Sequence, residues 1–148
     1  MTRRSIATRY LLLGVCMLGL SAGRAEADFV VVRNAKNATA TLTRDAVKGL
    51  FSGKTRTWPG GDTVILVIGN EDSTAMQWLA ATIFSVSTKT FLAKIKQDVF
   101  KGDVPRPLSA NDDAGTIKRV QSGAGVVGLI SEAAAKALPP ELAVIAVN

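Results

Sequence analysis

Four short apolar runs, each followed or preceded by an amphipathic stretch, most constrain the fold of this chain. The runs are rich in β-branched residues and cover residues 29–32, 63–68, 126–130 and 142–147. Runs of this length predict buried strands. The stretches between them carry apolar residues at helical spacing, so strands and helices alternate. This order predicts an α/β domain with a mostly parallel sheet flanked by helices.

The predicted helices begin at good capping residues. Thr43 precedes a helix over 44–50, and Asp72 or Ser73 precedes one that reaches about residue 84. Ser87 or Thr88 caps the next helix, and two shorter helices are predicted over 111–121 and 131–137. A hydroxyl or carboxylate at such positions accepts a hydrogen bond from an otherwise free backbone N–H group. The predicted buried residues are Phe51, Ile65, Leu66, Leu79, Phe91, Val127 and Ile130.

The first 27 residues have the features of a secretory signal. Arg3, Arg4 and Arg9 precede an apolar run of ten residues, which is too short to cross a bilayer as a helix. Ala25-Glu26-Ala27 then fits the small-x-small cleavage pattern. We expect cleavage after Ala27 and a periplasmic protein of residues 28–148, exported by the Sec or the twin-arginine route. The alternative is an uncleaved membrane anchor.

Composition excludes several classes of function for residues 28–148. This part contains no His and no Cys, because the single Cys lies at position 16. The usual general base, the usual zinc ligands and thiol chemistry are therefore missing. We expect no enzymatic activity, no catalytic residues, no cofactor and no metal. The part holds 14 basic and 11 acidic residues, a net charge of +3, and the lysines are scattered. A nucleic-acid partner is not expected from so mild and dispersed a charge.

Several motifs occur in a fixed order along the chain. They are Leu-Thr-Arg at 42–44, Leu-Phe-Ser-Gly-Lys at 50–54, Trp-Pro-Gly-Gly at 58–61, Asn-Glu-Asp-Ser-Thr at 70–74, Phe-Lys-Gly at 100–102 and Gly-Ala-Gly-Val-Val-Gly at 123–128. This order resembles the substrate-binding proteins of phosphate ABC transporters, and above all their small relatives. The resemblance covers about residues 29–147. It implies a single periplasmic-binding-protein-like lobe.

The resemblance also implies a ligand site at the turn between the second strand and its helix. The turn carries Asn70, Asp72, Ser73 and Thr74, at the place where the family binds phosphate oxygens. Free N–H groups at a helix start attract anions, and the two hydroxyls add donors. However, no Arg occurs between Arg56 and Arg106, so a bidentate contact to phosphate is missing. The alternative is that this turn is a plain helix cap.

Three other motifs have structural explanations. Trp58 is expected to anchor the core or its rim rather than to bind ligand. The glycines of 123–128 precede a strand, whereas a dinucleotide fingerprint follows one, so a turn with close packing is expected. Asp112 and Asp113 suit the start of a helix.

Two functions remain open. The first is binding of phosphate or another small oxyanion for an ABC transporter or sensor, with a membrane permease or sensor as partner. The second is an envelope accessory module that has lost its ligand and acts through protein–protein contacts.

Overall fold

The computed structural model, which describes residues 28–148, contains a six-stranded sheet with helices on both faces. The strands are β1 Phe29–Asn34, β2 Thr41–Leu42, β3 Ile65–Ile68, β4 Leu108–Ser109, β5 Val126–Ser131 and β6 Leu142–Val147. The helices are α1 Arg44–Phe51, α2 Thr74–Leu79, α3 Thr88–Phe100, α4 Asp113–Gln121 and α5 Glu132–Ala135. The predicted signal peptide lies outside the described residues.

The strand order is β2-β6-β1-β5-β3-β4. The prediction of a mostly parallel sheet is confirmed, because β2, β3, β4, β5 and β6 all run in one direction. β1 is the exception and runs antiparallel to both neighbours, with Val31 opposite Leu129 on one side and Ile145 on the other. An alternating order of strands and helices predicts that strands joined by a crossover helix run parallel. It does not predict the direction of a strand that pairs with strands far along the chain. β1 instead pairs with the two last long strands of the chain.

Side chains of β1 alternate between two hydrophobic clusters, one on each face of the sheet. Val31 packs with residues of α1, α2 and α3, whereas Val32 packs with residues of α4 and α5. Six of the seven predicted core residues are buried, and Ile65 is only half-buried. Ile65 is the first residue of β3 and lies at the margin of the second cluster. The core therefore sits in two layers around the sheet.

The predicted caps form as expected. Thr43 Oγ1 accepts from the N–H of Ala46 at 3.1 Å, and Ser87 Oγ accepts from the N–H of Thr90 at 3.1 Å. The helix predicted from residue 73 to about 84 is divided. α2 ends at Leu79, and a π-helical turn, Ala80–Phe84, continues to Ser85 in the left-handed region at φ 53°. Apolar spacing marks the buried face but does not reveal a single wider turn.

Trp58 and Gly125 hold the start of β3 against the start of β5. Trp58 is 4% exposed, and its indole N–H donates to the carbonyl of Gly125 at 3.0 Å. A Cβ atom at Gly125 would lie 2.0 Å from the carbonyl oxygen of Thr63. The structural interpretations of Trp58 and of the glycine motif are thus confirmed.

β2 and β4 were not predicted from the sequence. Each has two residues and lies at an edge of the sheet. Two residues are too few to produce a periodic pattern. Among residues 28–148, none of the helices has the length and apolar character needed to cross a membrane.

Candidate functional site

The turn between β3 and α2 carries all four predicted site residues, but they line two different cavities. Asn70 and Asp72 line a groove of about 960 Å³. Ser73 and Thr74 line a smaller pocket of about 270 Å³. The turn therefore contributes to two cavities, and the four residues do not converge on one point.

Hydrogen bonds within the turn use the polar groups of Asn70. Its Oδ1 accepts from the N–H of Asp72 at 3.1 Å, and its own N–H donates to Asn111 Oδ1 at 2.9 Å. An asparagine that bonds to the backbone two residues further on builds a tight turn. Asn70 thus shapes the turn and ties it to the loop before α4.

Ser73 is the N-cap of α2. Its side chain is 4% exposed, and its Oγ accepts from the N–H of Met76 at 3.4 Å. This is the capping contact that the alternative interpretation of the turn expects. Thr74, the first residue of α2, is exposed.

Three helices begin around the smaller cavity, which we call the helix-start pocket. Its wall includes Ser73 to Met76 at the start of α2, Asp112, Asp113 and Thr116 at the start of α4, and Ser131, the N-cap of α5. Phe29, Val67 and Leu129 supply apolar wall. The first N–H groups of a helix have no partner within the helix. The pocket therefore brings the starts of three helices together, and the free N–H groups on its wall include those of Thr74 and Ala75 in α2.

Carboxylates of α4 already occupy some of these donors. Asp112 Oδ1 accepts from the N–H of Gly115 at 2.7 Å. Asp113 accepts from both the N–H and the hydroxyl of Ser131, at 3.0 and 2.7 Å. The expectation that these two acids lie at a helix start is confirmed, because Asp112 is the N-cap of α4 and Asp113 lies in its first turn.

The charge of the helix-start pocket is negative. Its lining residues include Asp112 and Asp113 but no Lys or Arg. The pairing of Asp113 with Ser131 was missed from the sequence, because the two residues are 18 positions apart and no spacing rule joins them. An anion that enters this pocket meets helix N–H groups and hydroxyls together with two carboxylates.

Cationic residues line the larger cavity instead, which we call the basic groove. Lys89 and Lys96 lie on its α3 wall, and Arg106 lies in the segment before β4. Glu71 and Asp72, in the turn after β3, also line this cavity. Its apolar surface includes Leu92, Val99 and Phe100, and Phe100 is 92% exposed.

Metal binding has no support in the described residues. Across 28–148, no group of three or more Cys, His, Asp or Glu side chains is arranged to hold an ion.

Neither a protein-family model nor a curated protein sequence matches this chain. Its fold does match solved structures. An ABC-type phosphate transport receptor from Vibrio cholerae superposes with a TM-score of 0.61 and 18% identity, over 80% of this chain and 45% of the receptor. PstS from Borrelia burgdorferi superposes with a TM-score of 0.63 and 12% identity, over 81% of this chain and 47% of PstS.

The chain thus spans less than half the length of the transport proteins that it matches. At such low identity the likeness establishes the fold and leaves the ligand open. One of these structural neighbours is a transport receptor. The described chain has the fold of a single lobe of a phosphate-type substrate-binding protein.

Proposed function

We propose that this chain is an exported solute-binding protein that holds a small oxyanion, in a singly charged and protonated form, in the helix-start pocket. One observation carries the proposal, namely that the starts of α2, α4 and α5 converge on this pocket. Helix starts favour negative charge through their free N–H groups and the helix dipole.

The start of α2 supplies the donors for this ligand. The N–H groups of Thr74 and Ala75 occupy the first two helical positions, which have no partner within the helix. The exposed Thr74 hydroxyl adds a further donor. A pocket of about 270 Å³ holds an oxyanion with several waters, since each water takes about 30 Å³.

The carboxylates of α4 select the protonation state of the ligand. A dianion is repelled by Asp112 and Asp113, whereas an oxyanion that carries a proton can donate it to a carboxylate oxygen. Without a cationic side chain in the wall, only neutral donors and partial helix charges oppose the desolvation of the ligand. We therefore expect weak binding, with a Kd between about 10 µM and 1 mM.

The partner in this proposal is a membrane permease or a sensor. The fold shared with a phosphate transport receptor supports it. Genes for a permease and an ATPase beside this gene would favour transport. A neighbouring sensor kinase gene would favour sensing or an envelope role.

Isothermal titration of the purified protein with phosphate tests the proposal, and sulfate is the matched control. Both ions are tetrahedral, but sulfate carries no proton near neutral pH. We expect heat with phosphate and binding at least tenfold weaker with sulfate. Binding of phosphate should weaken as pH rises through its second ionisation. A folded sample that gives neither heat nor a thermal shift at several millimolar phosphate would overturn the proposal.

A second candidate is an accessory module that acts through protein–protein contacts. The absence of Lys and Arg from the lining of the helix-start pocket favours it. This candidate expects a folded protein that binds neither oxyanion.

A further inference from the structure

We propose that the basic groove is a docking surface for an amphipathic acidic helix of a partner protein. This inference is independent of the ligand proposed for the helix-start pocket. It depends on a face of α3, on cations without carboxylate partners and on an exposed aromatic ring.

One face of α3 lines the groove along its whole length. The residues of this face are Lys89, Leu92, Ala93, Lys96, Val99 and Phe100. Their spacing of three and four positions places them in one stripe along a helix. Lys89 and Lys96 are separated by two turns, about 10.5 Å along the axis. A helix that carries two acidic residues seven positions apart has the same spacing and can contact both lysines.

The charges of this groove are unmatched. Within residues 28–148, Lys89, Lys96 and Arg106 have no carboxylate within 4.0 Å, whereas Lys94 pairs with Asp98 at 3.0 Å. Cations at a rim steer an acidic partner and fix its orientation. Glu71 and Asp72, which also line the groove, repel acidic side chains, so they restrict which face of the partner helix points toward α3.

Apolar surface lies beside these cations. Phe100 is 92% exposed at the end of α3, and Val99 is half-buried next to it. Aromatic residues such as Phe are enriched at the cores of protein interfaces. An amphipathic helix can place its own apolar face against such a surface.

The concave shape favours a helix over a flat membrane. A volume of about 960 Å³ lies between α3 and the turn that follows β3. A planar lipid surface can touch the rim of this groove, but it does not fill a concave volume of this size. A protruding amphipathic helix can enter it.

A designed probe tests this inference. The probe is an 18-residue helical peptide with Glu residues seven positions apart and Leu and Phe on the same face. Its binding to the purified protein is measured by isothermal titration. The charge-swapped peptide, with Lys in place of Glu, is the matched probe. We expect the acidic peptide to bind with micromolar to submillimolar Kd and the basic peptide to bind at least tenfold more weakly.

Protein variants locate the contact. The double variant K89E/K96E should bind the acidic peptide at least tenfold more weakly than the unchanged protein does. It should bind the basic peptide more tightly. F100A should weaken the binding of the acidic peptide severalfold. Lys118→Glu changes an exposed lysine of α4 that is outside the groove, so it should have no effect. Circular dichroism verifies that each variant is folded.

Three results would overturn this inference. They are no binding of the acidic peptide, equal binding of both peptides, or equal losses in K118E and K89E/K96E. Vesicles of phosphatidylglycerol provide a further comparison. Vesicle binding that K89E/K96E abolishes, without peptide binding, would assign the groove to an anionic membrane. Phosphate binding should be unchanged in K89E/K96E, because the helix-start pocket contains neither lysine. This measurement therefore tests the two proposals separately.

Discussion

Asp113 and Ser131 join the start of α4 to the start of α5 through two hydrogen bonds from one residue to the other. Asp113 Oδ1 accepts from the Ser131 N–H at 3.0 Å, and Oδ2 accepts from its hydroxyl at 2.7 Å. The carboxylate therefore takes donors that an oxyanion in the helix-start pocket would otherwise use.

Replacing Asp113 with Ala should have opposite effects on stability and on binding. The free energy of unfolding should fall by about 1–3 kcal/mol, because hydrogen bonds to a charged group are lost. Phosphate affinity should rise about tenfold, since a negative charge leaves the pocket and two donors become free. Asp45→Ala is the matched control, because Asp45 also lies in the first turn of a helix but is not in the pocket lining. Unchanged phosphate affinity in D113A would contradict this account.

The two hydroxyl residues of the turn should respond differently to substitution. Ser73→Ala should lower the free energy of unfolding by about 0.5–2 kcal/mol, because Ser73 is a buried N-cap. Thr74→Ala should leave stability within about 0.5 kcal/mol, because Thr74 is exposed, and should weaken phosphate binding. Urea denaturation and isothermal titration measure the two effects. Equal effects of both variants on stability would show that Ser73 does not cap the helix.

Two phenylalanines of α3 provide a test of the core. Phe91 is 4% exposed, and its ring centroid lies 4.8 Å from that of Phe84. Phe91→Ala should cost about 3–5 kcal/mol of stability. Phe100→Ala, at a position that is 92% exposed, should change stability by less than about 0.5 kcal/mol. A loss below about 1 kcal/mol for F91A in a urea titration would show that this face of α3 does not pack in the core.

The glycines before β5 should differ in their tolerance of a methyl group. Gly125→Ala should cost about 3 kcal/mol or more, since the new Cβ would lie 2.0 Å from a backbone oxygen. Gly123→Ala should cost less than about 1 kcal/mol, because its nearest neighbour is a Val126 methyl at 3.4 Å. The difference between the melting temperatures of G125A and G123A measures the difference in tolerance. Similar melting temperatures would contradict the close approach at Gly125.

Export is tested by N-terminal sequencing of the protein from the cell envelope. The basic start, the apolar run and Ala25-Glu26-Ala27 predict a mature chain that begins at Asp28. Recovery of an intact chain beginning at Met1 from the cytoplasm would show that export does not occur.

Local patterns were sufficient to predict much of the fold. Thr43 and Ser87 cap helices as their sequence context predicts, and the apolar runs became the four long strands. Short-range patterns could not predict the π-helical turn after α2, because its 5 residues are too few to show a period of their own. Nor could they predict the direction of β1, which depends on partners more than 90 residues away.

The candidate site was only partly predictable. The turn of Asn70 to Thr74 lies between β3 and α2 as the sequence predicts. The residues of that turn line two different cavities because of where α3 and α4 pack. Patterns in a single sequence do not determine that packing. The same limit applies to Ser131, because its hydrogen bond to Asp113 depends on how α4 packs against the end of β5.

The antiparallel position of β1 has a consequence for the order in which the chain can fold. Among the strands of residues 28–148, β1 is the first to be synthesised, and both of its partners begin after residue 125. While the ribosome is still adding residues 28–125, the central strand has no neighbour on either side. Closing so long a loop is slow, because its entropy cost precedes any gain from pairing. The two central strand pairs therefore form only once residues 126–147 have been synthesised, so the middle of the sheet closes late in the production of this chain.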